Sequence, residues 1–382
     1  MDRKQSLPPP PLCPFDAAFT SSLSPPCSPI ISTFSASSSF SLLLAHSGLI
    51  SYYDPTSLSF SSTTPTHLDH ISTIASFSND AQISAIGSGS YSYPGLHLYS
   101  NHHVGSVYWV DDSDTRIHKS RVTAISDSVS ESDSVCYVGF ECRHGENVVL
   151  VVDKSTLKVV GEIGRQSGNS AKSTGIKRLR WVQEVGLLVG SSVNWGAFGC
   201  SGYVRVWDPR SGEVVWEMSE PGGMVRSSRM GDTMADVDVD PEGLFLAKMG
   251  SRSGDLGVAD LRMLGSDPWV YMEDTNPGLN GNWKVGGNVV VHCYKGNVYV
   301  GRDGELEAWS RVRGREVVVE GGGGERRWGV YRRNYVDKVE DSERGIIQRI
   351  EGGGDRLFVS REGVEGVEVW ETSHSSGVKT IL

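Results

Sequence analysis

The chain has 382 residues, with 36 Lys and Arg against 46 Asp and Glu, for a net charge of −10. That balance argues against a nucleic-acid binder working through a basic surface, and no apolar run approaches the ~20 residues of a membrane helix. The 45 glycines, beside only 16 prolines and without a collagen period, call for many tight turns and hence many short strands.

The first residues, MDRKQSLPPPPLCPF, hold charge and proline where a secretory leader has an apolar core. Residues 1–13 are therefore expected to form a disordered tail. The six cysteines (Cys13, Cys27, Cys136, Cys142, Cys200, Cys293) include no C-x-x-C pair. They read as reduced thiols of a cytoplasmic and/or nuclear protein.

From residue 14 onward one pattern recurs: an apolar pair ending in a small residue, a turn, a glycine, an alternating strand, then a polar turn. In chain order its copies are LLLAHSGLISYYDPTSLSF from Leu42, ISAIGSGSYSYPGLHLYS from Ile83 and CYVGFECRHGENVVLVVDKSTLKVVGEI from Cys136. The clearest is LLVG from Leu187 with GYVRVWDPRSGEVVWEM from Gly202. LFLAKMGSRSGDLGVADLR from Leu244, VYVGRDGELEAWSR from Val298 and LFVSREGVEGVEVWET from Leu357 follow. Each copy reads as two strands about a hairpin, with period-two alternation and Gly or Asp in the turns. The later strand of each ends at Tyr53, Tyr99, Val152, Trp207, Ala259, Trp309 and Trp370, 46 to 61 residues apart.

Further alternating segments lie between the copies, as in ADVDVDPEGLFLAKM from Ala235 and ISTIASFSNDAQISAIG from Ile71. Each unit thus holds four strands, labelled a to d, which is one propeller blade. The fold class is all-β. Seven units predict a seven-bladed WD-like β-propeller over residues 14–382, with six or eight blades as alternatives and VKTIL (Val378 to Leu382) as the last outer strand. No blade buries both faces alone, so the ring closes as one cooperative unit. Trp207, Trp309 and Trp370 occupy repeat positions and are expected in the core.

The strand ends VRVWD, LEAWS and VEVWE resemble WD repeats that lack the paired glycine and histidine of regular copies. More specifically, GYVRVWDPRSGEVVWE, DPWVYMEDTNP (Asp267 to Pro277) and VVHCYKGNVYVGRDGELEAWSRV (residues 290–312) resemble the C-terminal propeller of plant BTB/POZ-domain proteins. In that family a BTB domain precedes the propeller, and the resemblance implies the substrate-receptor part of an adaptor for cullin-3 ubiquitin ligases. No segment with helical periodicity precedes Leu42. The chain is therefore expected to lack the BTB domain and to reach cullin-3 ligase components through a separate BTB protein, or to be a free-standing scaffold.

The residues give little chemistry. Asp236, Asp238 and Asp240 alternate on one strand and could gather a hard cation, but their valine-rich context reads as a blade hairpin. His102 and His103 are adjacent, so on a strand they point to opposite faces and suit a metal poorly. Cys136 and Cys142 have no metal-like partner pair in the sequence. Glycine runs at Gly321 to Gly324 and Gly352 to Gly354 read as flexible loops. The basic cluster KRLR (Lys177 to Arg180) and the Arg-rich span Arg311 to Arg349 read as solvated faces, not a nucleic-acid site. The expectation is a non-enzyme with no catalytic residues, cofactor or metal. The alternative is a propeller enzyme or small-ligand binder using the central channel, with Asp236 and Asp238 as the visible hint.

What remains is a protein-binding surface. In WD-type propellers the b–c and d–a loops share the top rim, and the b–c loops of blades 2, 3 and 4 read as long. They carry Tyr91 and Tyr93, then Arg143 and His144, then Asn194, Trp195 and Phe198. Exposed aromatics beside Arg match interface anchors, although Trp195 could equally fold back over the blade 4 core. From the d–a loops, Arg226, Arg229, Trp269, Tyr271 and Trp283 extend the patch.

Overall fold

In the computed structural model, short alternating runs punctuated by Gly and Asp turns assemble into seven four-stranded antiparallel sheets. The structure describes residues 2–7, 30–36, 39–46, 48–54, 57–76, 83–110, 116–127, 135–167, 174–196, 199–220, 234–250, 254–266, 268–272, 288–302, 304–321, 324–337, 345–364 and 366–371, and among these there is no helix.

A first strand, β1 (Asp2–Leu7), opens the chain. Blade 1 holds β2 (Ile30–Ala36), β3 (Ser39–His46), β4 (Leu49–Tyr53) and β5 (Phe60–Pro65), and blade 2 holds β6 (Ile71–Ser76), β7 (Ser84–Ser88), β8 (Leu96–Tyr99) and β9 (His103–Val107). Blade 3 holds β10 (Ser120–Asp127), β11 (Val135–Cys142), β12 (Asn147–Asp153) and β13 (Val159–Gln166). Blade 4 holds β14 (Arg178–Val182), β15 (Leu187–Gly196), β16 (Gly199–Asp208) and β17 (Glu213–Glu220). Blade 5 holds β18 (Met234–Asp240), β19 (Phe245–Gly250), β20 (Leu256–Asp260) and β21 (Val270–Met272). Blade 6 holds β22 (Val289–Tyr294), β23 (Asn297–Arg302), β24 (Glu305–Gly321) and β25 (Gly324–Asp337). Blade 7 holds β26 (Ile347–Gly353), β27 (Arg356–Arg361) and β28 (Val367–Glu371). All seven predicted strand ends fall on the third strand of a blade.

The fourth strand of blade 7 is β1, paired antiparallel to β28 with Arg3 opposite Trp370 and Leu7 opposite Val367. This corrects the expectation of a disordered tail over residues 1–13, at least for Asp2–Leu7. Those residues are too polar to announce a strand, but the open edge of β28 supplies a ladder for them. The strand expected at Val378 to Leu382 lies outside the described residues. The first strands of blades 1 and 7 pack together, which closes the ring.

The core lies between blades. Seven clusters of buried side chains correspond to the seven blade interfaces. Leu42 and Leu44 face blade 7, while Leu43 and Ala45, one residue on, face blade 2. Burial of both sheet faces explains why the second strands read as unbroken apolar runs such as LLLA. Trp207, Trp309 and Trp370 are buried as expected.

The aspartate after four of the third strands has a local task. Asp153 Oδ1 accepts the Ser155 and Thr156 N–H groups at 2.9 and 2.8 Å. Asp54, Asp208 and Asp260 cap their own c–d turns in the same way. Four residues on, Leu58, Leu157 and Gly212 take positive φ (57°, 58° and 72°) to close the turn. Glycine is free there, whereas the leucines accept a cost of ~1 kcal/mol.

Two loops expected from sequence are hairpins. The blade 4 segment around Trp195 is continuous strand, with Trp195 opposite Cys200 and Gly196 opposite Gly199. On blade 6, β24 and β25 run on as a long hairpin in which Gly321 and Gly324 pair at the tip. Gly352 and Gly353 likewise belong to β26. By strand direction, the blade 4 hairpin joins strands b and c and extends the top rim. The blade 6 hairpin joins c and d and extends the opposite rim.

Candidate functional site: the channel and the top rim

The inner strands carry a charge network that binds blades together. Asp236, Asp238 and Asp240 lie on one face of β18, because alternate strand residues do. Their carboxylates accept backbone N–H groups of the next blade: Val291 at 2.8 Å, Cys293 at 3.0 Å and Gly296 at 2.8 Å. From the other side, Arg178 Nη2 donates to Asp236 at 2.9 Å and Arg180 Nε to Asp238 at 3.3 Å. The three carboxylates thus staple blades 4, 5 and 6. The blade-hairpin reading of this triad holds. The solvated-face reading of KRLR is corrected for Arg178 and Arg180, which are spent on this network.

His292 on β22 accepts the Gly352 N–H at Nε2 (2.9 Å), which places its proton on Nδ1, 3.3 Å from Asp238. Burial pushes the Asp238 carboxyl up, but Arg180, Arg178 and His292 outweigh it and hold the group well below the usual carboxylate range. Arg349 on β26 donates to Ser72 O of blade 2 at 2.7 Å. Burial and then Arg178 push its guanidinium down to about 10. The Arg-rich span also spends Arg333 internally, on the fully buried Glu307 at 2.5 Å and 3.0 Å.

On the top rim, Tyr91 lies between two guanidinium groups, Arg121 at 5.7 Å and Arg143 at 5.8 Å from its ring centroid. Arg121 is held there by Glu141, at 2.6 to 2.7 Å. The structure thus brings Tyr91 and Arg143 together and adds Arg121, which sequence reasoning missed. Tyr93 and His144 are exposed. Asn194 and Trp195 lie on the blade 4 hairpin. Phe198, Arg226, Arg229 and Trp283 lie outside the described residues. Trp269 does not join the rim. It is 8% exposed, donates Nε1–H to Met218 Sδ at 3.0 Å and receives Lys248 Nζ over its ring at 4.5 Å. Tyr271, two residues on in β21, is half-buried beside the same lysine. The reason is that Trp269 leads directly into the short outer strand β21, where Trp269 and Tyr271 pack toward blade 4 and Val270 and Met272 toward blade 6.

Blades 1 and 2 meet at a group of three histidines. His67 lies 4.9 Å from His97 and 5.2 Å from His103, ring to ring. Ser106 Oγ bridges His97 Nδ1 and His103 Nε2, each at 2.9 Å, and Tyr99 Oη meets His67 Nδ1 at 2.7 Å. Burial, then the His67 charge, pushes His97 down to about 4, and burial with His103 lowers His67. An unfolded chain therefore binds a proton at His97 between about pH 6.5 and about pH 4 that the fold does not. Stability should drop by about 2 kcal/mol as pH falls through that window, and the drop should shrink in His97→Gln. Melting curves at several pH values check this.

A second cluster sits on the top rim of blade 3. Cys142 Sγ, at the end of β11, lies 3.6 Å from His118 Nδ1. These atoms and the Glu146 carboxylate are all within 4.8 Å of one another. Burial, then Glu146, pushes the Cys142 thiol up to about 11. No sequence spacing announced this partner set, because the d–a loop brings His118 across 24 residues to Cys142.

The architecture defines the class of protein: a seven-bladed β-propeller. Among solved structures the chain is similar to the Dos1 propeller, with a TM-score of 0.53 and 13% identity over 87% of this chain and 75% of that one. It is also similar to a chain of the mitotic checkpoint complex, with a TM-score of 0.53 and 13% identity over 87% of each. At that identity the likeness concerns fold alone. No family model matches the chain. In sequence it is 30% identical, over 357 residues, to "BTB/POZ domain-containing protein At5g41330" of Arabidopsis thaliana, covering 88% of this chain and 70% of that protein. The chain belongs to that family of BTB/POZ domain-containing proteins.

Proposed function

We propose that the chain is a non-enzymatic protein-interaction propeller that acts as the substrate-receptor part of a BTB-type adaptor for a cullin-3 ubiquitin ligase, in the cytoplasm and/or nucleus. The relationship to the BTB/POZ domain-containing protein, along nearly the whole propeller, carries this reading. Two features of the rim support it. Tyr91 is presented between Arg121 and Arg143, the residue types that dominate interface energetics. The blade 4 hairpin extends Trp195 beyond the body of the sheet. The channel favours catalysis less, because Arg178, Arg180, Asp236 and Asp238 are engaged with one another and with backbone.

A tagged pull-down from plant-cell extract, with cullin-3 and BTB proteins quantified, tests the proposal. Enrichment of cullin-3 together with a BTB protein is the expected result. Absence of both, with other proteins captured, would mean a free-standing scaffold. For whichever protein is captured directly, Tyr91→Ala and Trp195→Ala should each weaken binding about tenfold or more, as interface anchors do, and lower the melting temperature by no more than a few degrees. A large melting shift with unchanged binding would place the residue in the core and remove it from the interface.

A further inference from the structure

We propose that His118, Cys142 and Glu146 form a binding site for a zinc-class divalent ion on the top rim of blade 3. The three donors arrive on two separate segments. Cys142 ends β11 and Glu146 closes the turn that follows it, with Cys142 N–H donating to Glu146 O at 2.7 Å. His118 sits on the loop entering β10, where its N–H donates to Trp109 O at 2.8 Å and an isolated bridge joins Val110 to Ile117. Trp109 stacks on the imidazole, with centroids 4.4 Å apart and planes 26° apart, which fixes the ring beside the sulfur.

The geometry suits an ion. With metal–sulfur and metal–nitrogen bonds of about 2.3 and 2.0–2.1 Å, a tetrahedral centre separates S and N by about 3.5–3.6 Å. The observed Sγ to Nδ1 separation is 3.6 Å. The Glu146 carboxylate sits on a turn within 4.8 Å of the pair and would have to rotate toward it to complete the set. A simple thiol–imidazole contact would leave that carboxylate without a role. A sulfur, nitrogen and oxygen set selects zinc-class ions over calcium or magnesium, which favour oxygen alone. Three protein ligands leave a fourth position for water or for a group from a bound partner. The ion would tie the d–a loop before blade 3 to its b–c hairpin, beside the Tyr91 and Arg143 patch.

Cobalt(II) titration of the purified chain, stripped with a chelator, tests the site, since cobalt reports both ligand type and geometry. The expected result is stoichiometric binding, with a near-ultraviolet thiolate-to-cobalt band and strong visible bands of a tetrahedral centre. Zinc should displace the cobalt and raise the melting temperature by several degrees. Cys142→Ser should remove the thiolate band, and His118→Ala should weaken binding at least tenfold, with circular dichroism confirming that both remain folded. Should either fail to fold, Glu146→Gln on the turn serves, with the same tenfold weakening expected. Absence of a thiolate band, or a band that survives Cys142→Ser, would overturn the proposal.

Discussion

Asp238→Ala is expected to destabilise the propeller by about 3–5 kcal/mol, the usual cost of removing one member of a buried ion-pair network. The carboxylate is 1% exposed and receives Cys293 N–H and Arg180 Nε, with His292 Nδ1 3.3 Å away. Alanine leaves a backbone N–H without an acceptor and two guanidinium groups short of a counter-charge. Asp238→Asn keeps an acceptor for Cys293 but not the charge, so its loss should be smaller. Urea midpoints give both values. The pH dependence supplies an independent check. A carboxyl held below its ordinary value contributes stability that is present above about pH 4, the unfolded value, and is lost as pH falls. The gap between the native chain and Asp238→Asn should therefore narrow below about pH 4. Asp208→Ala is the comparison: it loses a solvent-side pair with Arg210 and one turn cap, and should move the midpoint far less than Asp238→Ala does. A small effect of Asp238→Ala would mean that the blade 4–5–6 staple is not a structural element.

Trp207→Ala should cost a similar amount, about 3–5 kcal/mol, for a different reason. The ring is 1% exposed between blades 3 and 4, against Ile176, Leu179 and Leu188. Its Nε1 has no hydrogen-bond partner, so the loss is mainly one of packing, with the Arg205 guanidinium 5.8 Å from the ring centroid adding a smaller cation–π contribution. Space for the ring is made by glycines. A Cβ on Gly190 would lie 2.6 Å from Trp207 Cζ3, and one on Gly164, at φ +63°, would lie 2.7 Å from Nε1. Gly190→Ala should thus destabilise the native chain but cost far less once Trp207 is alanine. That non-additivity in a double-mutant cycle is the diagnostic result. Additive losses would mean that the glycine is required for its backbone alone.

Much of the fold was legible because its causes are local. Seven copies of one strand–turn–strand pattern, each closed by a polar turn, gave the blade count and placed Trp207, Trp309 and Trp370 in the core. The rim was harder. Tyr91 and Arg143 were legible as loop residues, but Arg121 was not, because only the packing of β10 against blade 2 brings it to the tyrosine ring. Trp269 was misplaced for a related reason. It precedes a strand of only three residues, too short to show alternation, so it read as part of a d–a loop.

Local sequence determined the strand period, the Asp-capped c–d turns and the number of repeats, since these depend on residues within one hairpin. Tertiary structure alone decided how the ring closes. The polar segment Asp2–Leu7 becomes a strand only because β28 presents an unpaired edge to it. It also decided the fate of the charged residues. Arg178 and Asp236 are 58 residues apart, as are Arg180 and Asp238, and His118 lies 24 from Cys142. Whether such groups are solvated, paired or gathered as ligands depends on which blade faces which. That follows from burying apolar faces between blades, and no periodicity along the chain records it.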